Sequence, residues 1–568
     1  MHKIWLNSYP AAVQPEIDSN EYASINELLA RTCRRFPDRP AYQNMGTTIT
    51  YAQLDRRSRE FAAWLQSLPG LQRESRIALM LPNLLQYPIA FFGVLRAGMI
   101  VVNVNPLYTA RELEHQLNDS GAEAIVILEN FAHVLEKVLA RTRIKHVVTT
   151  QIGDLLTVPR GWLVNLVVKR AKKMVPPWRI EQTVTFRTAL RQGRSTTLQE
   201  VTTGPADIAL LQYTGGTTGT SKGAILTHGN LIANVLQGFE WARGRLEEGN
   251  EIVITALPLY HIFSLTVNCL LFTRLAGLNL LITNPRDMPG FVKELRKARF
   301  TAITGVNTLY NGLLNTPGFA EIDFRNLRVA LGGGAAIHRA VAERWRAVTG
   351  HCLIEGYGLT EASPLVACNR LDTEYSGTIG LPMPSTEVVI RDEQDRDVPI
   401  GSAGEICVRG PQVTKGYWQK PEETENAIAP GGWLRTGDIG IMDARGYIRV
   451  TDRKKDIVLV SGFNVYPTEV EDVIASIPGV IENAVVGVPD IVTGEVVKAF
   501  VVTADPAVSP EAIIAYCRQH LTSYKVPKLI EFRSELPKNP IGKVLRRELR
   551  TTVAQPEAAA TRTAGAVS

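Results

Sequence analysis

The sequence predicts an α/β protein in which a large N-terminal domain of helix-covered parallel sheets carries a small β-rich subdomain and is joined to a compact C-terminal α+β domain. Three observations lead there. Short β-rich runs alternate with helix-period runs over most of the chain, the pattern of a parallel sheet covered by helices. From Gly377 to Val450 the texture changes to short strands and turns, such as Gly401-Ser402-Ala403-Gly404 and Asp443-Ala444-Arg445-Gly446. The charge knot Asp452-Arg453-Lys454-Lys455-Asp456 then sits between apolar runs, where a linker is expected, and a stretch of ordinary domain size follows it.

A chain of 568 residues exceeds one core, and roughly three or four structural units are expected. Hydrophobic content of 45% and charged content of 21% suit a soluble enzyme. The net charge of +6 gives no ground for a nucleic-acid partner, yet leaves room for a local basic contact with an anionic membrane face. The cysteines Cys33, Cys269, Cys352, Cys368, Cys407 and Cys517 are scattered, which suits a reducing cytoplasm and offers no zinc spacing. Met1 to Pro10 lacks the apolar core of a signal peptide.

Taken in order, Ser24-Ile25-Asn26-Glu27, Thr50-Tyr51-Ala52-Gln53 and Thr109-Ala110-Arg111-Glu112 are capping-box patterns that open helices. Between them, Arg76–Met80, Met99–Val104 and Ala124–Leu128 read as strands. Pro88 to Val104 carries Arg96 and two glycines, so it reads as a buried helix followed by a strand and not as a membrane span. The stretch 150–205 breaks the rhythm. Within it, Trp162 to Trp178 mixes valines and leucines with Lys169, Arg170, Lys172 and Lys173, and no acid falls between Asp154 and Glu181. Such a segment suits a lipid interface or an insertion packed on the domain surface, its apolar residues falling on every side of a helical wheel. Further strands are expected at Glu251–Thr255, Leu278–Ile282, Thr301–Thr304 and Leu327–Leu331, the last running into Gly332-Gly333-Gly334. Those glycines lack dinucleotide-fold spacing, since Ile337 stands at the last glycine's place, but they permit a flat ring to approach the backbone. Beyond the knot, Glu469–Ile477, Asn483–Val488, Lys498–Val502 and Pro510–His520 compose the last domain, and an Ala/Thr-rich tail is expected to be disordered.

The stretch richest in chemistry is Tyr213-Thr214-Gly215-Gly216-Thr217-Thr218-Gly219-Thr220-Ser221-Lys222-Gly223-Ala224. Glycines let successive N–H groups point at one anion, the hydroxyls add neutral donors and Lys222 adds positive charge, so the loop suits nucleotide phosphates. It is not a Walker A loop, because Ser221 precedes Lys222 and Gly223 follows it.

Four more stretches follow in order: Gly356-Tyr357-Gly358-Leu359-Thr360-Glu361, Gly432-Trp433-Leu434-Arg435-Thr436-Gly437-Asp438, Asp452 to Glu471, and Pro537-Lys538-Asn539-Pro540-Ile541-Gly542-Lys543. With the Gly/Thr loop they resemble the acyl-adenylate-forming superfamily from about residue 20 to 550, and most nearly its bacterial long-chain fatty-acid–CoA ligases. Leu257-Pro258-Leu259-Tyr260-His261-Ile262-Phe263 and Gly431 to Lys455 carry the nearer likeness, Gly431 standing where relatives often have Asn.

The resemblance implies an N-terminal adenylation domain over 1–451 with its β-rich subdomain at about 377–451. It makes 452–456 a hinge, to which a mobile C-terminal domain over 457–550 is attached, and leaves 551–568 as the tail. It implies catalytic roles for Lys543, Thr218, Glu361 and His261. The nucleotide would lie against the loop from Tyr213 to Ala224 together with Gly334, Tyr357, Gly358, Thr360, Asp438 and Arg453. Lys455 would be the hinge residue, Ser461 and Gly462 would meet CoA, and Glu361 would hold Mg²⁺. Elementary chemistry agrees: Glu361 is a hard oxygen ligand, Tyr357 offers a ring to adenine, and Asp438 can accept from ribose hydroxyls. Lys543 can stabilise the negative charge gathered when a carboxylate attacks the α-phosphate.

The expected reaction therefore has two steps. A fatty acid and Mg·ATP give acyl-AMP and pyrophosphate, and the CoA thiol then displaces AMP. A fatty-acyl-AMP ligase serving a carrier protein, and a CoA ligase for medium-chain or aryl acids, are the alternatives. An amino-acid adenylation domain would need an acid for the substrate ammonium, and residues 257–265 contain none. A non-catalytic nucleotide-binding scaffold would have no use for Lys543, Glu361 and Asp438 together. Location is expected to be cytoplasmic, with peripheral contact at the inner membrane face and a homodimer both left open.

Overall fold

The computed structural model describes residues 3–214, 221–503, 505–539 and 542–553. Gly215, Gly216, Thr217, Thr218, Gly219 and Thr220 lie outside the described residues, as does the tail from 554.

Two large sheets make the N-terminal part. One has seven strands in the order 183–185, 146–150, 124–128, 76–80, 100–103, 208–214, 222–227, all parallel neighbours except the last pair. The other has nine, and its parallel centre runs 353–358, 329–332, 302–305, 252–255, 278–281, 40–44. Strands Arg76–Met80 and Ala124–Leu128 fall at their expected bounds, because a continuous apolar run buried on both faces marks its own ends. The helix Gln86–Arg96 is buried at every residue, which accounts for its apolar composition.

Helix starts follow their caps. Thr50/Gln53 and Thr109/Glu112 form reciprocal capping boxes. Ser24 accepts from Glu27 N, but the Glu27 carboxylate takes the N–H of Ala23, one residue further out than a box requires. A box not read from the sequence, Thr227/Asn230, opens the largely buried helix His228–Trp241.

The segment expected to lie at an interface or pack on the surface forms a helix from Arg160 through Ala171. Gly161 approaches Gly153 so closely that a Cβ on either would lie within 2.3 Å of the other's carbonyl oxygen. Asn165 Oδ1 also accepts from Gly153 N at 2.7 Å. These contacts turn Gly161 and Asn165 inward and leave Trp162, Leu163, Leu166 and Val167 exposed as one outer stripe. Val164 and Val168 are half-buried on the other side, so apolar residues do lie around the helix, as the wheel suggests, with an exposed apolar stripe among them.

Strands 387–391, 403–409, 428–429, 433–442 and 448–453 form a separate antiparallel sheet. After the turn at 454–456, a further sheet orders 463–465, 458–460, 494–503, 480–490, with 529–532 added in parallel to 494–503. Helices Pro467–Ala475 and Pro510–His520 accompany it. The final helix, Arg546–Val553, runs past residue 551, where the sequence places the start of a disordered tail. Its Arg546 and Arg550 reach Asp452 and Asp456 at 3.1–3.5 Å, which ties the helix to the turn.

Candidate active site

The residues that flank the Gly/Thr-rich stretch pair as antiparallel strands, Tyr213 with Gly223 and Thr214 with Lys222. Gly223 is needed there: a Cβ would lie 3.0 Å from the Tyr213 ring. The Tyr213 hydroxyl donates to Asp119 Oδ2 at 2.6 Å, fixing that strand to the neighbouring helix. Ala224 bridges to Tyr417. Lys222 is not the free charge that its sequence context suggests, because its ammonium pairs with Glu423 and lies 5.4 Å from the centre of the Tyr417 ring.

Tyr417 links this hairpin to the next motif. Its hydroxyl donates to Glu361 Oε1 at 2.7 Å, while Thr414 N donates to the Glu361 carbonyl at 2.7 Å. Glu361 and Thr360 lie in a single helical turn, Thr360–Ala362, directly after the strand Leu353–Gly358. Gly358 closes that strand where no other residue fits, a Cβ there falling 2.0 Å from the Pro364 carbonyl oxygen. Sequence reasoning missed Tyr417, whose only signal was an aromatic beside Gly416.

The adenosine candidates meet at one place. The Tyr357 hydroxyl donates to Asp438 Oδ2 at 2.6 Å, and Arg453 Nε lies 3.1 Å from Asp438 Oδ1. Asp438 and Arg453 are cross-strand partners in the β-rich sheet. Burial first, then the Asp438 carboxylate, hold the Tyr357 phenol well above its usual range, so it stays a donor. The strand Val329–Gly332 delivers Gly333, whose N–H donates to Gly305 O at 3.1 Å, and Gly334, which adopts φ +75°.

From the other side comes Lys543. Asn539 brackets its backbone, Oδ1 accepting from Lys543 N and N donating to Lys543 O, each at 2.8 Å. Gly542, at φ +89°, has its carbonyl accepting from Thr308 Oγ1 at 3.3 Å. Burial and then Arg453 lower the Lys543 ammonium to about 7, partly offset by Asp438. His261 is lowered to about 4 by burial and then by Lys543, so its imidazole is neutral at physiological pH. The structure therefore brings Lys543, His261, Asp438 and Arg453 into one electrostatic neighbourhood. A ligand with polyphosphate or carboxylate charge placed there would favour the protonated lysine.

Ser461 and Gly462 are elsewhere. They form the exposed turn of the hairpin 458–465, both with positive φ, and Ser461 N donates to Thr493 O at 2.7 Å. Lys455 lies in the turn after the β-rich sheet, its carbonyl 3.5 Å from Arg550 Nη1.

An apolar cavity of about 60 Å³ opens among the helices that follow His228 and Ser264 and the strands 302–305 and 329–332. Gly238, Trp241, Val267, Leu271, Ile303 and Leu331 are among its lining residues, and no acidic or basic side chain lines it. Leu331 directly precedes the glycine cluster, and Thr266, also lining, donates to Ser363 O at 2.7 Å. The cavity thus lies beside the strand that leads into the glycine cluster.

Known proteins resemble this chain over nearly its whole length. Residues 29–418 match the family described as AMP-binding enzyme, and residues 469–543 match the AMP-binding enzyme C-terminal domain. The chain is 57% identical to a long-chain-fatty-acid–CoA ligase of Escherichia coli O157:H7 over 551 residues, covering 97% of this chain and 98% of that one. It is 53% identical to a protein of the same name from Haemophilus influenzae, with 97% and 98% covered. Among solved structures, ATP-bound MatB from Rhodopseudomonas palustris is similar with a TM-score of 0.79 at 30% identity, covering 93% of this chain and 99% of that one.

Proposed function

The chain belongs to the AMP-binding enzyme family, and we infer that it is an AMP-forming long-chain fatty-acid–CoA ligase, with ATP and CoA as its other substrates. The observation that carries the substrate class is the cavity without acidic or basic lining that adjoins the polar site. An alkyl chain loses its water there without stranding a charge. At about 60 Å³ the cavity is smaller than the clefts that enclose drug-sized ligands. A long chain therefore enters by displacing Leu and Val side chains.

In the first step the fatty acid's carboxylate attacks the α-phosphorus of ATP, forming the acyl–phosphate bond and releasing pyrophosphate. Lys543 meets the charge that gathers on the transferring phosphate, and the neutral His261 helps orient the carboxylate. Asp438 receives the ribose hydroxyls, with Arg453 and Tyr357 holding its carboxylate, and Thr360 donates to the phosphate. In the second step the CoA sulfur bonds to the acyl carbon, the acyl–phosphate bond breaks and AMP leaves. A turn about Lys455 exchanges the Lys543 face for the one carrying Ser461 and Gly462.

Glu361 suits Mg²⁺. Its Oε1 accepts from Tyr417, and the carboxylate is a hard oxygen donor of the kind that would help hold an ion carried mainly by phosphates. Bound there, Mg²⁺ neutralises phosphate charge.

The unpaired cysteines suit a reducing cytoplasm. No described helix is long and apolar enough to cross a membrane. The outward stripe Trp162, Leu163, Leu166 and Val167, beside Lys169, Arg170, Lys172 and Lys173, suits peripheral contact with an anionic bilayer, where its substrate partitions. Sedimentation with anionic but not zwitterionic vesicles, weakened by Trp162→Ala, tests this contact.

ATP–pyrophosphate exchange across carboxylates from acetate to oleate, followed by thioester formation with CoA, tests the reading. Strong exchange with palmitate and oleate is expected. Signal confined to short or aromatic acids, or acyl-AMP that CoA fails to discharge, would overturn it.

A further inference from the structure

The two parts of the chain that share the active site also touch along an edge that begins beside Lys543. Asn307, Thr308 and Asn311 open the helix Asn307–Leu314, and His338 precedes the helix Arg339–Thr349. Asn307 Oδ1 accepts from His338 N at 3.0 Å, so both helix starts are tied together. From this edge Thr308 reaches Gly542 O at 3.3 Å and Asn311 Nδ2 reaches Ile481 O at 3.3 Å. His338 Nδ1 lies 3.1 Å from Asp472 Oδ1, on the helix Pro467–Ala475. The Thr308 bond is made to the residue next to Lys543. Contacts along this edge therefore set where Lys543 stands.

We infer that His338 and Asp472, paired across the boundary between the two parts, are positioning residues that hold the C-terminal domain in the arrangement delivering Lys543 to the nucleotide. The pair is suited to this because its partners are otherwise uncommitted. The neighbouring acids have their own cations: Glu471 pairs with Arg546 at 2.5 Å and Glu482 with Lys538 at 2.6 Å. On the N-terminal side Arg339 pairs with Glu343 at 3.7 Å and lies over the Tyr375 ring. Glu355 sits within the buried strand Leu353–Gly358, where its carboxyl accepts from Ile337 N at 3.3 Å and burial raises it to about 8, so it is neutral. Asp472 is thus the carboxylate left to meet His338.

The pair also makes docking respond to protons. Burial alone would lower His338, yet Asp472, with Glu471 and Glu482 behind it, raises it above the usual histidine range. Once the domain turns away, His338 returns towards its ordinary value near 6.5. Protonated His338 therefore favours the docked arrangement. That preference is complete below the ordinary value and is lost as pH rises through the higher docked one.

This inference rests on the two-step reading above, and half-reactions separate the two. His338→Gln and Asp472→Asn should each slow acyl-AMP formation from palmitate and ATP about five-fold, the scale of one partly exposed ion pair. Thioester formation from supplied palmitoyl-AMP and CoA should be undiminished in both. The double variant should be no slower than either single one, since both remove one interaction. Energy transfer between fluorophores on the two parts, in a Lys543→Ala background to remove that lysine's titration, should show docking lost with rising pH, and His338→Gln should abolish this pH dependence. Wild-type adenylation in both single variants, or equal loss of both half-reactions, would overturn the inference. A wild-type protein that makes no acyl-AMP at all would overturn the two-step reading instead.

Discussion

The Tyr357 hydroxyl and the Asp438 carboxylate, 81 residues apart in sequence, meet at 2.6 Å and hold the far side of Asp438 open to Arg453. A carboxylate fixed between a phenol and a guanidinium can accept two ribose hydroxyls without reorganising. Tyr357→Phe removes one buried hydrogen bond, about 1 kcal/mol, and should raise the ATP KM about five-fold. Asp438→Ala should cost considerably more, and should abolish the wild-type preference for ATP over 3′-deoxy-ATP. If the preference survives in Asp438→Ala, Asp438 does not receive the ribose.

Glu361→Gln keeps shape and loses charge. Acyl-AMP formation should fall and be partly restored by raised Mg²⁺, while Tyr417→Phe, which frees Oε1 without removing charge, should leave the Mg²⁺ requirement nearly unchanged. A Mg²⁺ titration curve identical in wild type and Glu361→Gln would contradict the ligand role.

Gly238 faces Leu271 across the apolar cavity, and a Cβ added at Gly238 would lie 3.2 Å from Leu271 Cδ2. Gly238→Ile fills space that a long acyl chain needs, and overpacking of this kind costs about 1–3 kcal/mol. Turnover of oleate should fall about ten-fold relative to octanoate, on the same scale. Equal losses for both acids would place the chain elsewhere.

These relationships differ in how legible they were from sequence. The helix Pro510–His520 and the strands Arg76–Met80 and Ala124–Leu128 depend on local periodicity and caps, and they stand at their expected bounds. The motifs placed Tyr357, Asp438, Arg453, His261 and Lys543 in one constellation but not their partners. Lys222 to Glu423 spans 201 residues and Tyr417 to Glu361 spans 56, with no pattern connecting either pair. The sorting of Trp162 and Leu166 outward was equally hidden, because it depends on the close approach of Gly161 to Gly153. The Gly/Thr loop, the plainest motif in the sequence, has its centre outside the described residues, so its contacts remain a reading of residue types.

Lys543 carries its charge below about 7 in the free site, and His261 is neutral above about 4. Deprotonation of Lys543 would remove the cation proposed to serve adenylation. The kcat/KM for acyl-AMP formation should therefore fall as pH rises through about 7. Lys543→Arg, slower but permanently charged, should lose most of that limb. A flat wild-type profile from pH about 6 to 8.5, or an unchanged limb in Lys543→Arg, would contradict this assignment.

Lys543 is proposed to serve one half-reaction and to leave before the other. Lys455→Pro, which fixes φ near −65° at the turn, should spare adenylation and impair thioester formation. The most direct measurement is Lys543→Ala assayed in each half-reaction separately. Acyl-AMP formation from palmitate and ATP should fall by about 10²-fold or more, the scale for losing one charge-stabilising donor. Supplied palmitoyl-AMP and CoA should still give thioester at close to the wild-type rate. Loss of both activities in equal proportion would contradict the account.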